Sequence, residues 1–332
     1  MEFFNSFEAQ LTIFAVSAVA IWYFCRKLSD VVEFVDAEFG LGSAFGGTLI
    51  LAIVTNLPET SIAITGAIKG NYSLIAGNLL GGIAMQNLLL ILYDFYSKDT
   101  RPLSTITSSK AGIFQGVALI LILLLCLFGS LPNSASTSLI AGIPSWLIVI
   151  IWLSSLLLLK HLNTAKRRRK TKIPGSYTRK SSLVWLGAIS IVVFVFGVLL
   201  ENSSDAIATR FGLSGVFFGA TVLAFVTSLP EISSGLEFVR NKEYKPIISD
   251  IFGGNGFLPV LFLPASLIAG RNILSGAGEA NRLISILSIA LTVTFIIGMV
   301  LKVPKKFGRL GWDTWLMLLI GAIGFGVLFY VS

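Results

Sequence analysis

The chain has 332 residues, of which 55% are hydrophobic and 13% charged, and its formal net charge is +8. A water-soluble domain could not cover that much apolar surface, so the composition excludes a soluble enzyme or adaptor and predicts an all-α polytopic membrane protein. The positive charge follows loops rather than one patch, so it predicts membrane topology and no nucleic-acid partner.

A lipid-spanning helix needs about 20 apolar residues. Ten such segments are predicted, at about 8–28, 42–69, 72–95, 112–131, 137–160, 182–201, 214–240, 246–269, 281–302 and 312–331. Ahead of the first, Glu2 and Glu8 stand where a cleavable signal peptide would carry basic residues. The two cysteines, Cys25 and Cys126, lie in apolar context without metal or redox spacing, and read as inert buried thiols. The second segment is interrupted by "VTNLPETS" (54–61), and the third opens with "AGNLLGGIAMQN" (76–87). Between the fifth and sixth lies a basic stretch, 161–181, with "KRRRKTK" at 166–172 and the lone histidine His161 at its start. The seventh holds "VTSLPEIS" (226–233), and the eighth holds "ISDIFGGNGF" (248–257).

With the N-terminus outside, 21 of the 25 lysines and arginines fall on the cytoplasmic side, leaving Lys69, Arg210, Arg271 and Arg282 outside. The positive-inside rule therefore predicts both termini outside, the 161–181 loop in the cytoplasm and a multi-pass protein of the cell membrane. The basic loop reads as a topology anchor beside anionic lipid.

The chain contains one unit twice, offset by 172 residues. Residues 39–61 overlie 211–233 without a gap, and Phe39, Gly40, Leu41, Thr55, Leu57, Pro58, Glu59 and Ser61 each meet an identical residue. The register continues through Tyr72/Tyr244, Gly81/Gly253 and Gly82/Gly254. Shared leucines are common between apolar helices, but a shared Pro-Glu with a shared Gly-Gly is not. The predicted units are 1–160 and 182–332, each with five helices. An odd number per unit inverts the second relative to the first, which is the plan of secondary transporters with midplane sites on interrupted helices.

Glu59 and Glu231 lie near the middle of their spans, where a carboxylate costs about 3 kcal/mol or more. No lysine or arginine in either segment's interior offsets them, so a cation is the expected partner. Pro58 and Pro230 lack the amide that would bond the carbonyls of Val54 and Val226, freeing backbone oxygens around 54–56 and 226–228. Those oxygens, with the side chains of Thr55, Asn56, Thr227 and Ser228, make an all-oxygen environment suited to a hard cation such as calcium. The expected metal ligands are Glu59, Glu231, Thr55 and Thr227. Asn78, Gln86, Asp250 and Asn255 follow on the next helices as further candidates, Asn78 and Asp250 being offset partners. No permanently bound cofactor is expected, and no catalytic set of nucleophile and base is present.

These motifs resemble the cation/calcium antiporter superfamily, which includes the sodium/calcium exchangers. Its two repeats carry G-T-S-L-P-E followed by a helix with a G-N-x-x-G-S-type motif. Here "VTNLPE" and "VTSLPE" correspond to the first, and "GNLLGG" and "SDIFGG" to the second. The resemblance covers essentially the whole chain. It implies ten helices in two inverted halves and Glu59 and Glu231 as central calcium ligands. It also implies alternating access by movement of the first and sixth helices against the rest. The chain departs from the sodium-using pattern at Asn56, Gly82, Gly254, Gln86 and Leu258. The expected function is thus an antiporter exchanging calcium for sodium or protons in the bilayer, with no oligomer required. A carrier of another cation or a passive cation conductor is the alternative.

Overall fold

The computed structural model of the chain describes residues 6–39, 50, 52–131, 142–162, 178–275 and 278–332. These form helices joined by loops, with one isolated bridge between Phe307 and Leu310. In chain order the helices are α1 (Phe7–Phe39), α2 (Leu57–Lys69), α3 (Tyr72–Tyr96), α4 (Leu103–Thr107), α5 (Lys110–Gly129), α6 (Gly142–Leu162) and α7 (Arg179–Arg210). Then come α8 (Gly215–Thr227), α9 (Leu229–Arg240), α10 (Lys245–Ala269), α11 (Gly278–Leu301) and α12 (Trp312–Val331). Among the described residues eight helices are long and apolar enough to cross a membrane, and the bent pair α8–α9 makes a ninth. Residues 42–49 and 51 of the predicted 42–69 span, and 163–177 of the basic loop, lie outside the described residues.

Two predicted boundaries are corrected. The first and sixth spans, predicted at 8–28 and 182–201, are helices of 33 and 32 residues. Charged residues such as Arg26, Lys27, Asp30 and Glu33 end the apolar run but not the helix, because most of them are adequate helix formers. At 1.5 Å per residue each helix is about 50 Å long, more than the roughly 30 Å hydrocarbon layer.

The two long helices pack along each other and share a core. On α1 the buried positions Ala18, Ile21, Cys25, Leu28, Val31 and Val35 recur at three- and four-residue steps, the spacing of a coiled-coil seam. They meet Ile189, Val193, Leu200 and Ile207 of α7. A separate, larger core joins α3, α5, α8, α10 and α11. The molecule is thus a helix pair laid against a bundle.

Inside the bundle, polar groups fasten helices that lipid alone would not hold together. Asp94, fully buried near the end of α3, accepts from the amides of Leu103 (2.8 Å) and Gly311 (2.6 Å) and from the Thr314 hydroxyl (2.7 Å). Lys306 lies 3.0 Å from the same carboxylate. One acid therefore ties α3, α4, α12 and the loop before α12. On α11 a buried stripe of Asn281, Ser285, Ser288 and Thr292 faces α3, with Ser288 donating to the Leu80 carbonyl and Asn87 to Thr292.

The paired glycines have unequal duties. A Cβ on Gly81 would sit 2.2 Å from the Ala220 Cα, so α3 and α8 touch backbone to backbone there, whereas a Cβ on Gly254 would meet nothing within 4 Å. The backbone contact explains why α8 loosens into a π-helical turn over Gly219–Leu223 as it crosses α3. We expect Gly81→Ala to cost about 1–3 kcal/mol through overpacking, while Gly254→Ala costs nothing measurable. Thermal unfolding in detergent checks this; equal midpoints for the two variants would contradict it.

Candidate cation site

Both Pro-Glu motifs start a helix at a break. Before α2, residues 52–55 are helical and Asn56 turns the chain; before α9, Ser228 does the same, and α8 and α9 meet at 47°. Each break leaves Glu59 or Glu231 in the first turn of the following helix, where an acid suits the exposed amides. The preceding segments aim their carbonyl ends at the same place, which favours a cation.

The offset partners repeat each other bond for bond. Thr55 and Thr227 donate to the carbonyls of Ala52 and Ala224, each at 3.3 Å. Asn56 and Ser228 donate to the same two carbonyls, at 2.8 and 2.7 Å. The backbone expectation needs one correction: the carbonyls of Asn56 and Ser228 are not free. They accept from the amides of Thr60 and Ile232, each at 3.0 Å. Proline removes only the donor to Val54 and Val226, and the ladder resumes two residues later.

The glutamates pair across the two units. The Thr227 hydroxyl lies beside the Glu59 carboxyl, and Thr55 lines a small cleft together with Glu231. Glu59 and Glu231 are close enough to feel each other's charge, and Glu231 also feels Asp250. One oxygen of Glu231 is buried without a hydrogen-bond partner among the described residues.

The cleft holds about 60 Å³, room for a few waters, and its walls are Cys25, Leu28, Ser29, Thr55, Pro230, Glu231, Ser234 and Asp250. Asp250 stands on α10, 3.5 Å from the Ser234 hydroxyl, so it faces the cleft rather than merely starting its helix. Of the predicted residues, Thr55, Glu231 and Asp250 thus share one space, with Glu59 and Thr227 beside each other. Asn56 and Ser228 bond back into their own helices. Asn78 and Asn255 are fully buried, with neither amide atom partnered. Gln86 is buried on α3 and does not line the cleft.

Sequence reasoning missed the wall supplied by α1, to which the buried thiol of Cys25 contributes. Cys25, Leu28 and Ser29 follow helical spacing, but their own chemistry carries no ion signal. It also missed Tyr93, whose hydroxyl donates to the Glu231 carbonyl at 2.8 Å while its ring rests on Gly235. That bond fixes the turn that carries Glu231.

The cleft also tells the ends of the molecule apart. Asn71, just before α3, and Tyr93 lie about 33 Å apart at 1.5 Å per residue. Tyr93 packs on α9, so the cleft opens toward the end where α3 finishes. At the other end Ile62, the offset partner of Ser234, is fully buried. In a Cys25→Ala background, Ser234→Cys should react with a small thiol reagent at least about ten times faster than Ile62→Cys. Equal rates in the purified protein would contradict an open cleft on one side.

Comparison with known proteins agrees with this geometry. The family model described as sodium/calcium exchanger protein matches residues 9–161 and again 181–331. The inner membrane protein YrbG of Escherichia coli (strain K12) is 24% identical over 269 residues, covering 77% of this chain and 79% of its own. The crystal structure of the H+/Ca2+ exchanger CAX superposes with a TM-score of 0.74 at 13% identity, covering 97% of this chain and 86% of the other. The sodium-calcium exchanger NCX_Mj, soaked with Na+ and Sr2+, superposes with a TM-score of 0.58 at 19% identity, covering 97% and 99%. The two matched segments take in nearly all of the sequence: the chain belongs to the sodium/calcium exchanger family and is a multi-pass membrane protein with that fold.

Proposed function

We propose that the protein is a secondary antiporter moving calcium against a counter-flow of sodium or protons, with Glu59 and Glu231 as the central ligands. The observation that carries the reading is that each glutamate lies with the threonine of the other motif, Glu59 beside Thr227 where the path is shut and Glu231 with Thr55 around an open cleft. A pore would open both. Thr55 and Thr227 complete the calcium ligands, and Asp250, Asn78, Asn56, Ser228, Gln86 and Asn255 supply oxygens along the path.

In this reading the chain crosses the membrane ten times as two inverted five-helix units, 1–160 and 182–332, joined by a cytoplasmic loop at 161–181. Both termini face outward. The basic loops support that orientation, and it turns the cleft toward the cytoplasm. The α1–α7 pair packs lengthwise and meets the bundle through a cluster distinct from the main bundle core, which supports movement of that pair against the bundle, closing one mouth as the other opens.

Charge decides the coupling. Two carboxylates balance one calcium or two protons, so Glu59 and Glu231 alone suffice for proton exchange. Three sodium ions want a third carboxylate, and Asp250 in the cleft wall is the one available there. In vesicles, calcium uptake should follow an imposed sodium or pH gradient and fall to background in Glu59→Gln/Glu231→Gln. Asp250→Asn should reduce sodium-driven uptake by more than it reduces proton-driven uptake. Uptake that survives the double substitution, or current without a coupled ion, would overturn the antiporter reading.

A further inference from the structure

The repeat offset assigns each wall residue of the open cleft an image in the other unit. Cys25 maps to Gly197, Ser29 to Glu201, Ser234 to Ile62, Glu231 to Glu59 and Asp250 to Asn78. Every one of these images is buried. They outline a second mouth of the same path, shut in this structure. The closure is tight: a Cβ on Gly197 would lie 1.7 Å from the Ser61 hydroxyl, whereas Cys25 at the corresponding place borders open space.

The two mouths are not chemical copies. The open one has Asp250 where the shut one has Asn78, and Ser29 where the shut one has Glu201. Each mouth therefore holds its central glutamate plus one further acid, but the further acid sits on a different helix. In the open mouth it is on α10; in the shut mouth it is on α7. Glu201 is fully buried in the bilayer-spanning part of α7, an expensive place for an acid with no task. It accepts from the Asn71 side chain at 2.6 Å and lies 3.5 Å from the Lys69 ammonium. Asn78 is fully buried with both amide atoms unpartnered, at the place that corresponds to Asp250. Ser29, the counterpart of Glu201, donates to the Cys25 carbonyl at 3.0 Å and has no ion pair among the described residues.

Resting on the antiporter reading, we propose that Glu201 is the peripheral calcium ligand of the second mouth, taking there the part Asp250 takes in the open cleft. Lys69 and Asn71 neutralise and hold it while that mouth is shut. When α7 moves away from α2, Glu201 leaves Lys69 and joins Glu59 and Asn78 around the entering ion. The exchange of acid between α7 and α10 keeps two carboxylates at each mouth, and carboxylate number sets calcium affinity.

The test measures the apparent KM for calcium at each membrane face of the full-length protein, in sealed vesicles of both orientations. Glu201→Gln, which keeps a partner for Asn71, and Glu201→Ser, which copies Ser29, should raise the KM at the outer face on the order of tenfold. The cytoplasmic-face KM should stay within about twofold of wild type. Adding Asn78→Asp to Glu201→Ser should restore the outer KM, because it rebuilds the open mouth's arrangement. A latch with no ligand role would not be rescued by an acid at 78. Equal shifts at both faces, an unchanged outer KM, or no rescue by Asn78→Asp would overturn the assignment while leaving the antiporter reading intact. Absence of calcium transport by the wild-type protein would overturn that reading and this assignment with it.

Discussion

A carboxylate in the middle of a bilayer is the constraint on which the rest depends. Burying Glu59 and Glu231 is tolerable only where each finds bonding partners and positive charge nearby. The fold meets the first need by breaking two helices and starting new ones at the glutamates. It leaves the second to something that arrives from outside, since among the described residues no ion pair with lysine or arginine is made by either carboxyl. The buried, unpartnered oxygen of Glu231 is the trace of that unmet need.

The other features serve this pair. Backbone contact at Gly81 brings α3 against α8, Tyr93 fixes the turn carrying Glu231, and Asp94 fastens the bundle's end. These make one rigid half of the site. The α1–α7 pair lies against that half through Leu57, Ile62, Leu74, Phe218 and Leu223, with Gly197 at the tightest approach to α2. A fastened bundle beside a long helix pair is a physical basis for a path that opens at one end and then the other.

Much of this was legible in the sequence because charge in an apolar run is expensive and therefore conspicuous. The Pro-Glu pairs, their duplication and the nine spans met among the described residues all follow from that contrast. The ends of α1 and α7 were not legible, since a charged stretch leaves the lipid without leaving the helix. Nor was the cleft wall on α1, because cysteine, leucine and serine carry no ion signal until α9 and α10 stand opposite them. Asp94, inside the predicted 72–95 span, and Lys306, beyond the 281–302 span, carry no sequence signal of their pairing, and only folding shows that they hold four segments together. The carbonyls freed at the breaks were misjudged by two residues: Asn56 and Ser228 close their bonds again.

The central claim is that Glu59 and Glu231 together hold calcium. Calorimetric titration of the purified full-length protein with calcium tests it most directly. We predict saturable binding in the wild-type chain that is lost in Glu59→Gln and in Glu231→Gln, with both variants folded by thermal melt. Calcium binding of unchanged affinity in either variant would contradict the account.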